Sequence, residues 1–278
     1  MKTAINYKIL GEYPGDMKKC LIMAKKHGFD AIECLPSEIL DYGIQNTIDI
    51  INQTGIKISS CMMPFSPVDI SEKEYEKKMI EFAEFVTAMG KTGVKLCTSF
   101  VRSSSDQYEF HDYYELHIKR WKPIAEMLRK YDIRLSLEFM GPKTSQKKKR
   151  YPFIRKADEL LPLCRKIGNN VGMTFDFWHW YSGSNDKTVF EKINGVDYIY
   201  YVHLNDACEG NVDELLDKPR KLVGTSGVID TCFLIGKLKE YNYQGYVLSE
   251  SFDEKIKELP TLDDKMKAVK SSIDQAIK

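Results

Sequence analysis

Glu138, Asp176, His203 and Glu250 each end a short apolar run, at residues 135–138, 171–176, 200–203 and 245–250. All four are side chains that ligate divalent metals. Three carboxylates and one imidazole suit Mn²⁺, Zn²⁺, Co²⁺ or Mg²⁺, and ligand type alone does not choose among them. One acid at a strand end reads as a solvated rim residue or a helix cap. Four on consecutive strands predict a single mononuclear site, because crowded carboxylates are costly unless a cation neutralises them. That inference needs a fold that gathers strand ends.

Other residues near these runs carry weaker signals. His179, three residues beyond Asp176, reads either as part of an aromatic stack or as a group at the pocket edge that touches substrate or a ligand. Trp178, Trp180 and Tyr181 beside it read equally as core packing or as a pocket wall. Glu33 has the same strand-end position as the quartet, so a contact to substrate and a rim salt bridge both fit. Arg220, followed by the glycine-bearing stretch 224–227, sits where a guanidinium could reach a hydroxyl or carboxylate oxygen. The run Lys147-Lys148-Lys149-Arg150 is a solvated loop, a lid that meets an anionic substrate, or, as a third reading, a nucleic-acid contact. Gly141-Pro142 just before it argues for a shaped, partly ordered turn.

The elements that must position these groups follow from hydrophobic period. Strand-like runs cover residues 3–9, 31–35, 56–62, 93–98, 133–139, 171–176, 198–204 and 246–250. Helical stretches cover 16–27, 44–54, 71–89, 108–131, 155–167, 186–194, 229–241 and 261–277. Ser71 with Glu74 forms a capping signature, and Pro123 predicts a bend. Strict βα alternation requires parallel strands joined by helical crossovers. Eight units in 278 residues favour a closed (β/α)8 TIM barrel of one domain over 1–278, near the typical ~250 residues. The dinucleotide-binding alternative lacks its glycine fingerprint, since the first turn reads Gly11-Glu12-Tyr13-Pro14-Gly15.

Composition narrows the partners. Hydrophobic residues at 43%, charged residues at 29% and a formal charge of +1 give no global reason for nucleic acid or membrane binding. No apolar run approaches the ~20 residues of a membrane span, and the first ten residues are too interrupted for a signal peptide. Seven cysteines are dispersed without a CxxC pair, which reads as reduced thiols and a cytoplasmic location. Nothing in the sequence argues against a homo-oligomer.

At these residues the chain resembles the xylose-isomerase-like superfamily of barrels, over nearly its whole length, and looks most similar to the inosose (2-keto-myo-inositol) isomerases within it. The matching stretches are residues 26–33, 137–141, 171–172 with 176–179, 202–206, Arg220 with Gly224, 227–230 and Ser249-Glu250. The resemblance implies Glu138, Asp176, His203 and Glu250 as ligands of one divalent metal, and His179 and Arg220 as substrate contacts. It implies an isomerase or epimerase of a small sugar, keto-inositol or sugar phosphate. In that chemistry Glu138 and Glu250 exchange the proton next to a carbonyl, and Asp176 and His203 only anchor the ion. A related lyase, inosose dehydratase-like or a C-glycoside-cleaving subunit, shares the chemistry and differs in what leaves. An apurinic-endonuclease-like enzyme would need histidines from several strands, yet His27, His111 and His117 fall on or beside helices. The basic loop 143–153 and the aromatic segment 178–181 depart from the inosose enzymes on the side that would face substrate.

Overall fold

The computed structural model describes residues 1–278 and forms a closed barrel of eight parallel strands. These are β1 Lys2–Ile5, β2 Ala31–Cys34, β3 Lys57–Met62, β4 Leu96–Val101, β5 Arg134–Phe139, β6 Val171–Asp176, β7 Ile199–Leu204 and β8 Tyr246–Ser249. Each pairs with its neighbours in sequence, and β8 closes on β1 through Lys2↔Tyr246 and Thr3↔Val247. Helices cover the outside, and their apolar faces join one large core with the outward side chains of the strands.

The inward face sets up the site. Ala4, Ala31, Leu96, Tyr201 and Leu248 pack together inside the barrel. The two alanines leave room for Tyr201, whose hydroxyl lies 3.0 Å from Ser59 Oγ on β3. Ser136 and Thr174 bond across β5 and β6 at 2.8 Å. Strand side chains alternate faces, so the residue two further on points inward one layer higher. That step leads from Ala4 to Asn6, Leu96 to Thr98, Ser136 to Glu138, Thr174 to Asp176, Tyr201 to His203 and Leu248 to Glu250. A plug of small and aromatic side chains thus carries a polar ring above it.

Several element boundaries differ from the sequence expectation for local reasons. The first strand stops at Ile5 because the Asn6 side chain accepts from the Lys8 amide at 2.9 Å and starts a 3-10 turn, Tyr7–Leu10. Residues 178–181, outside every expected helix, are helical: Asp176 caps a short helix, Phe177–Gly183, by accepting from the His179 amide. The expected helix at 186–194 contracts to Val189–Lys192, and short helices Pro36–Tyr42 and Glu254–Lys257 add to the outline. The helix Phe110–Arg129 contains Pro123 and runs on through it. Ser71 caps Glu72–Lys91 as its sequence signature predicts. No helix is long and apolar enough to cross a membrane.

His117, on Phe110–Arg129, is fully buried against Tyr113 and Phe153, with Nδ1 2.7 Å from the Tyr113 carbonyl. Burial pushes its imidazolium down to about 4. An unfolded ring protonates near 6.5, so between those values the unfolded chain binds more protons and stability falls as pH drops. The loss amounts to roughly 3 kcal/mol. Urea midpoints at pH 7 and pH 4.5 should therefore separate more for the parent than for His117→Phe. Equal separation would show that this ring does not titrate on unfolding.

Candidate metal centre

The barrel brings all four strand-end residues together. Glu138, Asp176, His203 and Glu250 each offer a ligand atom, and these atoms lie within 4.8 Å of one another. His203 Nδ1 is 2.9 Å from Glu138 Oε1, 3.4 Å from Glu250 Oε2 and 3.6 Å from Asp176 Oδ2. Register explains the convergence: Asp176 stands beside His203, and His203 beside Leu248.

The donor set fits a divalent ion. His203 Nδ1 and Glu138 Oε1 approach closely but are misaligned, and both are buried atoms without a hydrogen bond. Burial alone would lower the His203 pKa, yet Glu138 and Glu250 raise it well above the ordinary imidazole value. Burial and the Glu250 charge raise Glu138, against the pull of His203. For Glu250, burial is overcome by His203 and Arg220, which bring it to about 2. Asp176 is likewise held low, because Arg220, His179 and His203 outweigh its burial. This is a nest of like charges neutralised by neighbouring cations, the setting in which a divalent ion is favoured.

The carboxylates differ in how many of their oxygens are committed. Both oxygens of Asp176 already accept hydrogen bonds: Oδ1 from the His179 amide at 2.8 Å, and Oδ2 from Asn205 Nδ2 at 2.6 Å and Arg220 Nη1 at 3.0 Å. Glu250 Oε2 accepts from Arg220 Nη1 at 3.0 Å. Glu250 Oε1 and Glu138 Oε2 make no hydrogen bond within the chain, and both glutamates line a cavity of about 540 Å³.

His179, Arg220 and Glu33 line the same cavity. Glu33 is held by Asn6 Nδ2 at 2.8 Å and Ser60 Oγ at 2.6 Å. Arg220 is only 2% exposed; besides the two carboxylates above it bonds Asp217 Oδ1 at 2.9 Å, and its Nη2 lies 3.2 Å from His179 Nε2. The Gly141 amide lies 3.3 Å from His179 Nδ1, so a hydrogen-bond donor approaches each ring nitrogen. Gly141 must be glycine here, since a Cβ would stand 2.0 Å from the His179 carbonyl oxygen.

Trp178 is placed elsewhere. Its ring is 1% exposed, packs against Tyr181 and donates to the Asp217 carbonyl at 3.2 Å. The capped helix turns the indole away from the cavity, so it supports the loop bearing Asp217 and Arg220 rather than forming a wall. Sequence reasoning missed Asn205, whose Nδ2 bonds Asp176 while its Oδ1 accepts from the Glu250 amide at 3.0 Å. It also missed Asn6, Asp217 and Phe252. Only position offered a signal for the two asparagines, each being the first residue past its strand.

Residues 21–274 match the family described as xylose isomerase-like TIM barrel. A xylose isomerase domain protein from Alicyclobacillus acidocaldarius subsp. acidocaldarius is 20% identical, with TM-score 0.85 over 100% of this chain and 98% of that one. A crystal structure of the IOLI protein with a binding zinc atom is 18% identical, with TM-score 0.84 over 100% and 98%. D-psicose 3-epimerase in the presence of D-fructose is 15% identical, with TM-score 0.75 over 99% and 98%. No curated protein matches the chain. At these identities the likeness to solved structures is one of fold, whereas the family match covers most of the sequence: the chain belongs to the xylose isomerase-like TIM barrel family.

Proposed function

We propose that this protein is a divalent-metal-dependent isomerase or epimerase of a sugar, keto-inositol or sugar phosphate, and that it works in the cytoplasm. One observation carries the reading. Of three carboxylates around His203, Asp176 accepts hydrogen bonds on both oxygens, Glu250 on Oε2 alone and Glu138 on neither, and both glutamates line the cavity. Two carboxylates with free oxygens, on strands separated by β6 and β7, are what a proton relay between neighbouring carbons requires. The zinc in the IOLI structure and the sugar epimerase among the structural relatives agree with it.

Glu138, Asp176, His203 through Nδ1, and Glu250 would hold the ion. A divalent ion there would act as a Lewis acid, drawing charge from a carbonyl oxygen. One glutamate takes the proton from the adjacent carbon and the other returns one. Asp176 and His203 stay fixed, because Asn205, Arg220 and the His179 amide leave Asp176 no freedom. His179, on the cavity wall, contacts a substrate oxygen. Arg220 keeps Glu250 ionised and oriented, and Glu33, braced by Asn6 and Ser60, accepts from a hydroxyl.

A screen of ketoses, inososes and their phosphates on metal-loaded protein in D₂O tests this. Turnover is expected to place deuterium on the carbon next to the carbonyl. Complete retention of substrate hydrogen would contradict the proton relay and indicate a hydride shift. Release of water or an aglycone would identify the related lyase instead.

A further inference from the structure

The metal cavity continues into a second recess. A space of about 230 Å³ opens beside it and shares Phe100, Arg102, Met140 and Asp217 with it. The recess adds Lys148 and Lys149 from the basic run, together with Ser103, Ser104 and Ser145. Its charge is lopsided in a chain whose formal net charge is only +1. The sole carboxylate lining it, Asp217, is paired with Arg220 at 2.9 Å. Arg102 bonds Asp69 through Nε alone and lays its guanidinium over Phe100 at 5.3 Å, so both of its outer nitrogens remain available. Lys148 and Lys149 form no ion pair.

The lysines are held there by structure. Lys143–Gln146 forms a helical turn, and Tyr151–Pro152 pairs antiparallel with Ser104–Ser105. Ser104 Oγ donates to the Ser145 carbonyl at 3.2 Å, and Gln146 Nε2 to the Phe153 carbonyl at 3.0 Å. Lys143 anchors the turn on Asp213 at 2.5 Å. The turn between these ties places Lys148 and Lys149 at the recess. Lys8 and Lys218, on the metal cavity itself, also form no ion pair: Lys218 lies 3.8 Å from the centroid of Phe252, and Lys8 reaches only Met62 Sδ.

We propose that this recess binds a phosphate group carried by the substrate, so that the preferred substrate is a sugar phosphate with its carbonyl at the metal end and its phosphate at Lys148, Lys149 and Arg102. Three cations suit a tetrahedral dianion, which offers three oxygens to many donors. A neutral sugar would leave these charges unused. The assignment rests on the isomerase reading for the orientation of the sugar, and on the recess for its phosphate.

The test measures binding and chemistry separately. Calorimetry on metal-loaded protein compares ribulose 5-phosphate and fructose 6-phosphate with the free sugars, for the parent, Lys148→Ala/Lys149→Ala and the control Lys147→Ala. At least one phosphate is expected to bind about tenfold to a hundredfold tighter than its free sugar, with the preference falling as salt rises. The double variant should lose at least tenfold of that preference and Lys147→Ala should keep it. Equal binding of phosphorylated and free sugars, or a preference untouched by the double variant, overturns the proposal. Deuterium exchange then separates the two readings. Lysine-dependent phosphate binding without exchange would leave the recess standing and remove the isomerase. Exchange with free sugars and no phosphate preference would do the reverse.

Discussion

Glu250→Gln and, separately, Glu138→Gln are expected to lower kcat by about 10²- to 10⁴-fold at saturating metal, the usual range for removing a general acid or base. The amide matches the carboxylate in size and keeps an oxygen for the ion, but it cannot take a proton. The two variants should differ in secondary effects. Glu250 Oε2 is paired with Arg220 at 3.0 Å, so its replacement also loosens a buried cation. Glu138 has no such partner beyond the His203 ring. Turnover measured alongside metal content and melting temperature separates lost chemistry from lost metal or lost fold. Full kcat in either variant at metal saturation would remove that glutamate from the relay.

Asp176→Ala is expected to abolish tight metal binding and to destabilise the protein even when no metal is added. The carboxylate is fully buried and satisfies Arg220 Nη1, Asn205 Nδ2 and the His179 amide at once. Removing one partner from a buried ion pair costs about 3–5 kcal/mol, because the remaining charge is left uncompensated. In a chain of this size that corresponds to a fall in Tm of about 10 °C. Asp176→Asn is the informative companion, since it keeps the volume and one acceptor and should weaken metal binding with a smaller drop in Tm. Melting curves of chelator-treated protein provide the comparison, because bound metal at a hundredfold over its Kd adds about 2.7 kcal/mol. An Asp176→Ala protein as stable as its parent would contradict the bracing described here.

The ring of strand ends was legible in the sequence because two periods agree there. Strand side chains alternate, and parallel strands of a barrel end together, so Glu138, Asp176, His203 and Glu250 had to share one end and one face. Glu33 followed from the same rule. The supporting residues were not legible. Asn205 and Asn6 act one residue past their strands, where the chain has left its regular period and only three-dimensional proximity gives the amide its partners. Whether Trp178 packs in the core or walls the pocket stayed open in the sequence, because the Asp176 cap that makes the segment a helix, and so sets where its aromatics point, is a three-dimensional feature. The basic run was visible as charge, but its tie to residues 104–105 was not, since a two-residue pairing leaves no pattern.

The central claim is one divalent ion held by one imidazole and three carboxylates. Stoichiometric titration of metal-free protein with Co²⁺ or Mn²⁺, followed by X-ray absorption at the metal edge, addresses it directly. The expected result is one ion per chain with a single imidazole nitrogen among oxygen neighbours, lost in His203→Ala and in Asp176→Ala. Absence of stoichiometric binding, several nitrogen neighbours, or binding unchanged in both variants would contradict it.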